Sequence, residues 1–205
     1  MGGRIGLAAT LALSVLMTAA TGAAAAEHLV MGPYPAETPW KTATLVDKGG
    51  KHLREQIPAD QNIDHYRDIL TDQVFPEAKA QAPEAFLKDM FVRVQGVCDG
   101  VRVNGPRAST GAGYPAAYAQ IYCGRQKGRD FGVNMFFKVI QGDDALYVIQ
   151  REFRVPPSAQ GGVQSFDQSQ VDAMRALMAG QMAASHYLVE QVYLCGPRAQ
   201  DERCR

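Results

Sequence analysis

Apolar and polar positions alternate along several stretches of this chain, and elsewhere they recur with the period of a helix. Trp40 to Val46 and Lys51 to Ile57 alternate and read as two strands. Asp47-Lys48-Gly49-Gly50 between them suits a hairpin turn, because glycine accepts positive φ, and Pro58 ends the second strand. Asn62 offers a cap to a helix from Ile63 to about Leu70, with Asp64 favourable in its first turn. Thr71 to Phe75 reads as a short strand before Pro76. Pro83 suits the first position of a second helix. That helix carries Phe86, Leu87, Met90, Phe91 and Val94 at i, i+1, i+4, i+5, i+8, which is one helical face. Asp99-Gly100 marks its exit.

The middle of the chain returns to alternation. Val101–Asn104, Tyr118–Cys123, Phe131–Gln141 and Leu146–Val155 read as strands, with hairpin turns at 124–130 and 142–145. Pro156 to Gln164 is a loop. Asp167 caps a helix over Gln168 to about Ala183, with Val171, Met174, Leu177, Met178 and Met182 on one side. Ser185 to Leu194 reads as a further short helical segment leading into Cys195. Glu27 to Pro39 holds three prolines and reads as an extended lead-in. This order predicts an α+β domain over residues 40–194: an antiparallel sheet of about five to six strands with helices packed on its faces. Residues 195–205 form a separate tail.

The first 26 residues stand apart. Arg4 is the only charge before Glu27, Ile5 to Met17 is apolar, and Ala24-Ala25-Ala26 has the A-x-A form that signal peptidase accepts. A cleavable signal peptide is therefore expected over residues 1–26. The run is short and alanine-rich for a membrane span of about 20 apolar residues. No cysteine in it offers a lipid attachment point. The expected location is periplasmic or secreted, with no transmembrane segment after cleavage.

Export changes the reading of charge and cysteine. Removing residues 1–26 takes away one base and no acid, leaving 20 basic against 21 acidic side chains. A near-neutral chain argues against nucleic acid, whose binding relies on clustered positive charge. Cys98, Cys123, Cys195 and Cys204 are even in number and destined for an oxidising compartment, so two disulfides are expected. Of three possible pairings, Cys98–Cys123 and Cys195–Cys204 close the shorter segments. The latter would pin the polar tail GPRAQDER. No C-x-x-C occurs, and no cysteine or histidine spacing matches a zinc site, so no metal or cofactor is expected.

Strand parity singles out one pair of charges. Glu55 shares a face with Leu53 and Ile57, and Arg151 shares one with Tyr147, Ile149, Phe153 and Val155. Both charges should point inward. An unpaired buried charge costs several kcal/mol, so the economical expectation is that Glu55 and Arg151 meet. Such a pair is either a structural ion pair or the polar spot of a ligand pocket. Tyr118 and Tyr122 share a face of one strand, where they pack the sheet or bind a ligand. Arg125, Lys127 and Arg129 form a basic hairpin tip that reads as a solvated turn. Ser109 to Gly113 (STGAG) lacks the full G-x-G-x-x-G spacing and reads as a flexible loop. His65 and Asp68 lie one helical turn apart. No serine occupies a G-x-S-x-G elbow.

Trp40, Glu55, Pro58, Tyr66, Leu70, Thr71, Gln73 and Phe75 form a pattern W…E-x-x-P…Y…L-T-x-Q-x-F. The pattern resembles that of an uncharacterised exported bacterial protein family. Over about residues 37–155 the element order also resembles the PsbP/Mog1-like α/β/α sandwich. That resemblance implies an accessory or binding role and brings no catalytic residues. The expectation is therefore a non-enzymatic binding or accessory protein, partnered by another envelope protein or a small ligand. Two alternatives stand beside it: a hydrolase using a His and a carboxylate, with His65 or His52 in a concave pocket, and a structural envelope component.

Overall fold

Gly49 and Gly50 sit at φ of 61° and 78°, and they turn the chain back between β2 (Trp40–Lys48) and β3 (Lys51–Pro58). This left-handed backbone is what the two glycines permit at low steric cost. The computed structural model describes residues 26–34, 39–157 and 168–205. The expected signal peptide, the loop at 156–164 beyond Pro157, and the cap at Asp167 lie outside them.

β3 pairs antiparallel with β4 (Asp68–Phe75), whose other side pairs with β8 (Leu146–Val155). The chain leaves β4, forms α1 (Pro83–Val97), and returns as a second meander: β5 (Cys98–Gly111), β6 (Tyr114–Gln126), β7 (Gly132–Gln141) and β8. The result is a seven-stranded antiparallel sheet in the order β2-β3-β4-β8-β7-β6-β5. α2 (Gln168–Glu190) follows. β9 (Val192–Cys195) then pairs with β1 (His28–Met31) in a separate two-stranded sheet.

The α+β class and the antiparallel sheet agree with the sequence reading. Several elements differ from it. The sheet has seven strands, because the short segments at Asp68–Phe75 and Cys98–Gly111 pair along greater lengths than their patterns suggest. No helix forms at 63–70. Asn62 Oδ1 does accept the backbone N–H of Asp64 and of His65, but the cap closes only a turn. From Asp68 onward, hydrogen bonding to two neighbouring strands outweighs helix formation. The lead-in contains β1. The segment 185–194 divides, continuing α2 to Glu190 and then entering β9. STGAG ends β5 and turns at Ala112-Gly113 into β6 rather than forming a loose loop.

Both faces of the sheet are covered. On one, Phe86, Leu87 and Val94 of α1 pack against Ala119, Ile121, Phe137 and Val148, with Met90 and Phe91 partly buried beside them, as the i, i+4 pattern predicts. On the other, Ala184, Tyr187 and Leu188 of α2, together with Val192 and Leu194 of β9, pack against Phe136, Ile149 and Phe153. Only the C-terminal half of α2 is embedded. Val171, Met174, Met178 and Met182 are exposed, and of the expected apolar side only Leu177 reaches the core. Disulfides join Cys98 to Cys123 and Cys195 to Cys204, the pairing expected from spacing.

Candidate functional site

Arg151 sits in the middle of β8, opposite Leu70 on β4 and Phe136 on β7. Its side chain is fully buried on the α2 face. The partner is Asp68, not Glu55: Arg151 Nη2 donates to Asp68 Oδ2 at 2.5 Å. The register explains the correction. Glu55 pairs with Thr71, which pairs with Gln150, so Glu55 belongs to the α1 face and Arg151 to the other. There Glu55 adds negative charge near Glu152, whose carboxyl is raised first by burial.

The guanidinium lies 3.9 Å from the Tyr34 ring centroid and 4.1 Å from that of Trp40, with Phe153 at 5.5 Å. Tyr34 meets both Trp40 and Tyr187 edge-on. Stacking of this kind compensates part of the desolvation of a buried guanidinium. Burial pushes the Asp68 carboxyl up to about 6, with Arg151 pulling it back, and burial also lowers Arg151. Arg151 Nε and Nη1, Asp68 Oδ1 and Trp40 Nε1 are buried without a hydrogen-bond partner among the described residues.

A second polar cluster occupies the same face further along β6. Tyr118, Gln120 and Tyr122 alternate onto it. Tyr118 and Ser185 of α2 share a hydrogen bond of 2.8 Å. Gln120 Nε2 donates to Asn134 Oδ1 at 2.9 Å, and Asn134 Nδ2 donates to Gln181 Oε1 at 2.8 Å, so an amide chain ties β6 and β7 to α2. Arg102, Val103, Asn104, Gln120 and Tyr122 line a cavity of about 390 Å³. In β5, Arg102 lies opposite Tyr122, Asn104 opposite Gln120, and Arg107 opposite Tyr118. Burial raises the Tyr118 hydroxyl, and the Ser185 bond and Arg107 oppose the rise. We call this surface the β5–β6 shelf.

Lys138 lies on this face too, opposite Tyr118, and is buried. Its ammonium donates to the carbonyls of Val189 at 2.8 Å and Val192 at 2.6 Å, just where α2 ends. The unsatisfied carbonyls of a helix C-terminus and its negative dipole end suit a buried cation. Burial pulls Lys138 down to about 8, opposed by Glu190.

The histidines do not form the site expected for a hydrolase. His65 is exposed, and Asp68 is engaged by Arg151. His52 Nε2 does lie 3.1 Å from Asp72 Oδ2, but Arg54 Nε holds the other oxygen of that carboxylate at 2.8 Å. No hydroxyl or thiol bonds to His52 among the described residues. Nor do three or more His, Cys, Asp or Glu side chains gather as metal ligands there. The basic hairpin tip is exposed, and Lys127 Nζ donates to the carbonyl of Gly96. No helix among the described residues is long and apolar enough to cross a membrane.

Of the four residues singled out by parity, Tyr118 and Tyr122 come together on one shelf, whereas Glu55 and Arg151 are separated by the sheet. Sequence reasoning missed Lys138, Gln120 and Asn134. Lys138 carried the same signal as Arg151, a charge inside the apolar run GVNMFFKVIQ. Gln120 lay between the two tyrosines at the same parity.

No protein-family model matches the chain, and no curated protein matches it. Among solved structures it is similar to LpqN of Mycobacterium tuberculosis, described as involved in cell envelope biogenesis. The identity is 15%, the match covers 82% of this chain and 84% of LpqN, and the TM-score is 0.40. That score falls short of a common fold. The PsbP/Mog1-like arrangement implied by element order gains no support from it.

Proposed function

We propose that the protein is a non-enzymatic binding or accessory protein of the extracytoplasmic envelope, periplasmic or secreted, that holds a small ligand on the β5–β6 shelf. The observation that carries this reading is the cavity lined by Arg102, Asn104, Gln120 and Tyr122. A concave site with a few convergent polar groups is the usual form of a ligand site. These side chains donate and accept hydrogen bonds but offer no activated nucleophile, which fits binding rather than turnover. The two disulfides suit an oxidising compartment.

Backbone amide shift mapping of the protein against a panel of small envelope molecules tests this reading. Fatty acids, lysophospholipids, glycan fragments and short peptides make up the panel. The expected result is saturable shifts centred on Arg102, Asn104, Gln120 and Tyr122, with the ligand recovered intact. Chemical conversion of the ligand, or a panel that leaves these residues unmoved, would overturn it.

A further inference from the structure

Four side chains of the shelf stand at the corners of a rectangle. Arg102 of β5 lies opposite Tyr122 of β6, and Asn104 lies opposite Gln120. Directly opposed residues of an antiparallel pair hold their Cβ atoms about 5 Å apart. Same-face residues along one strand are about 7 Å apart. The next rung is already closed, because Tyr118 bonds Ser185 of α2 and Arg107 bonds Asn104 Oδ1. α2 contributes no residue to the cavity lining, so the rectangle opens to solvent. Its breadth suits a single six-membered ring.

The corners leave a defined set of hydrogen-bonding groups unused. Arg102 and Tyr122 make no side-chain hydrogen bond or ion pair among the described residues. Asn104 Oδ1 is taken by Arg107, which leaves the amide N–H groups of Asn104 free. Gln120 gives one N–H to Asn134 and keeps its carbonyl oxygen and a second N–H. No acid lines the cavity, and Val103 is the one aliphatic residue in the lining. The charged corner is therefore an uncompensated cation, and the amide edge both donates and accepts. A carboxylate matches the guanidinium fork, and hydroxyls match groups that donate and accept at once. The tyrosine ring adds an apolar face on which another ring can lie. An acyl chain finds little apolar surface here.

We propose that the β5–β6 shelf binds an acidic sugar, with its carboxylate on Arg102, its hydroxyls on Asn104 and Gln120, and its ring over Tyr122. This rests on reading the shelf as the binding site and adds the ligand class. The carboxylate exchanges water for paired guanidinium hydrogen bonds, which are charge-assisted. The amides select a hydroxylated ring over a bare organic acid. Arg102 is exposed, so its charge contributes about fivefold in affinity.

Glucuronate is the probe, titrated into the protein at constant ionic strength with backbone amide shifts as the reporter. Saturable shifts are expected at Arg102, Asn104, Gln120 and Tyr122. Glucose, which lacks the carboxylate, should bind about fivefold more weakly, and acetate, which lacks the ring, should not saturate over the same range. Arg102→Gln should bring glucuronate down to the level of glucose. Arg129→Gln, which removes the same charge at the basic hairpin tip, should keep native affinity. Both arginines are exposed, so both variants keep their fold. Glucuronate binding that is equal in native and Arg102→Gln protein, or weakened as much by Arg129→Gln, would overturn the proposal. So would acetate or a hexose phosphate binding as tightly as glucuronate. Shelf shifts produced by a peptide or a lysophospholipid and not by glucuronate would overturn the sugar and leave the binding site standing. Silence of the shelf toward every probe would remove both.

Discussion

Arg151 is a charge that the core tolerates because several groups share its desolvation. Asp68 neutralises it, and the rings of Tyr34 and Trp40 both lie against it. Breaking such a pair leaves one buried charge uncompensated, whereas replacing both members with apolar residues of similar volume is often neutral. Arg151→Ala is therefore expected to cost about 3–5 kcal/mol. Arg151→Met combined with Asp68→Leu should recover most of that loss. Urea unfolding midpoints check both, and a double variant no more stable than Arg151→Ala would refute the account. Parity on β8 was enough to show that Arg151 points inward. The residue that meets it, third from the end of the supposed helix at 63–70, was hidden because Asp68 belongs to a strand.

At the scale of the element, α2 is two things in succession. Its C-terminal half is anchored by Tyr187, Leu188 and Ala184, and closed by Lys138, which bonds the carbonyl of Val189 in its last turn and that of Val192 at the start of β9. Its N-terminal half stands in solvent. The helical period in the sequence located both halves but could not show which turns the body of the protein covers, because the methionine side looks like a core face from its composition alone. Lys138 gives this junction a pH dependence. Its folded pKa, about 8, lies below the ordinary 10.5. Between these values the unfolded chain binds more protons, so stability rises with pH across that window. Thermal melts from pH 7.5 to 10.5 should show this rise, and Lys138→Met should flatten it. An unchanged slope in the variant would assign the effect to other groups.

At the scale of the whole molecule, two meanders are joined where β4 meets β8, so the sheet depends on a pairing between residues nearly eighty positions apart, such as Thr71 and Gln150. Each disulfide then staples a local excursion. Cys98–Cys123 spans a separation of 25 residues, Cys195–Cys204 one of 9. Chain-entropy arguments give about 3–4 kcal/mol for the first and about 2–3 kcal/mol for the second. Denaturant unfolding of the Cys98→Ser/Cys123→Ser and Cys195→Ser/Cys204→Ser variants measures both. The longer closure should cost more, and the reverse order would show that strain or contacts dominate over closure entropy.

Local chemistry was legible in the sequence. The Gly49-Gly50 turn, the apolar face of α1, the alternation of Tyr118 and Tyr122 and the partners of all four cysteines follow from backbone freedom, residue period and short separation. Each needs only neighbours along the chain. Strand order, the pairing of Arg151 and the exposure of the α2 methionines were decided in three dimensions. A sheet covered on both faces has two insides, so alternation tells which residues of one strand share a face but not which face that is. Register between β3, β4 and β8 made that choice. It sent Glu55 toward α1 and Arg151 toward α2.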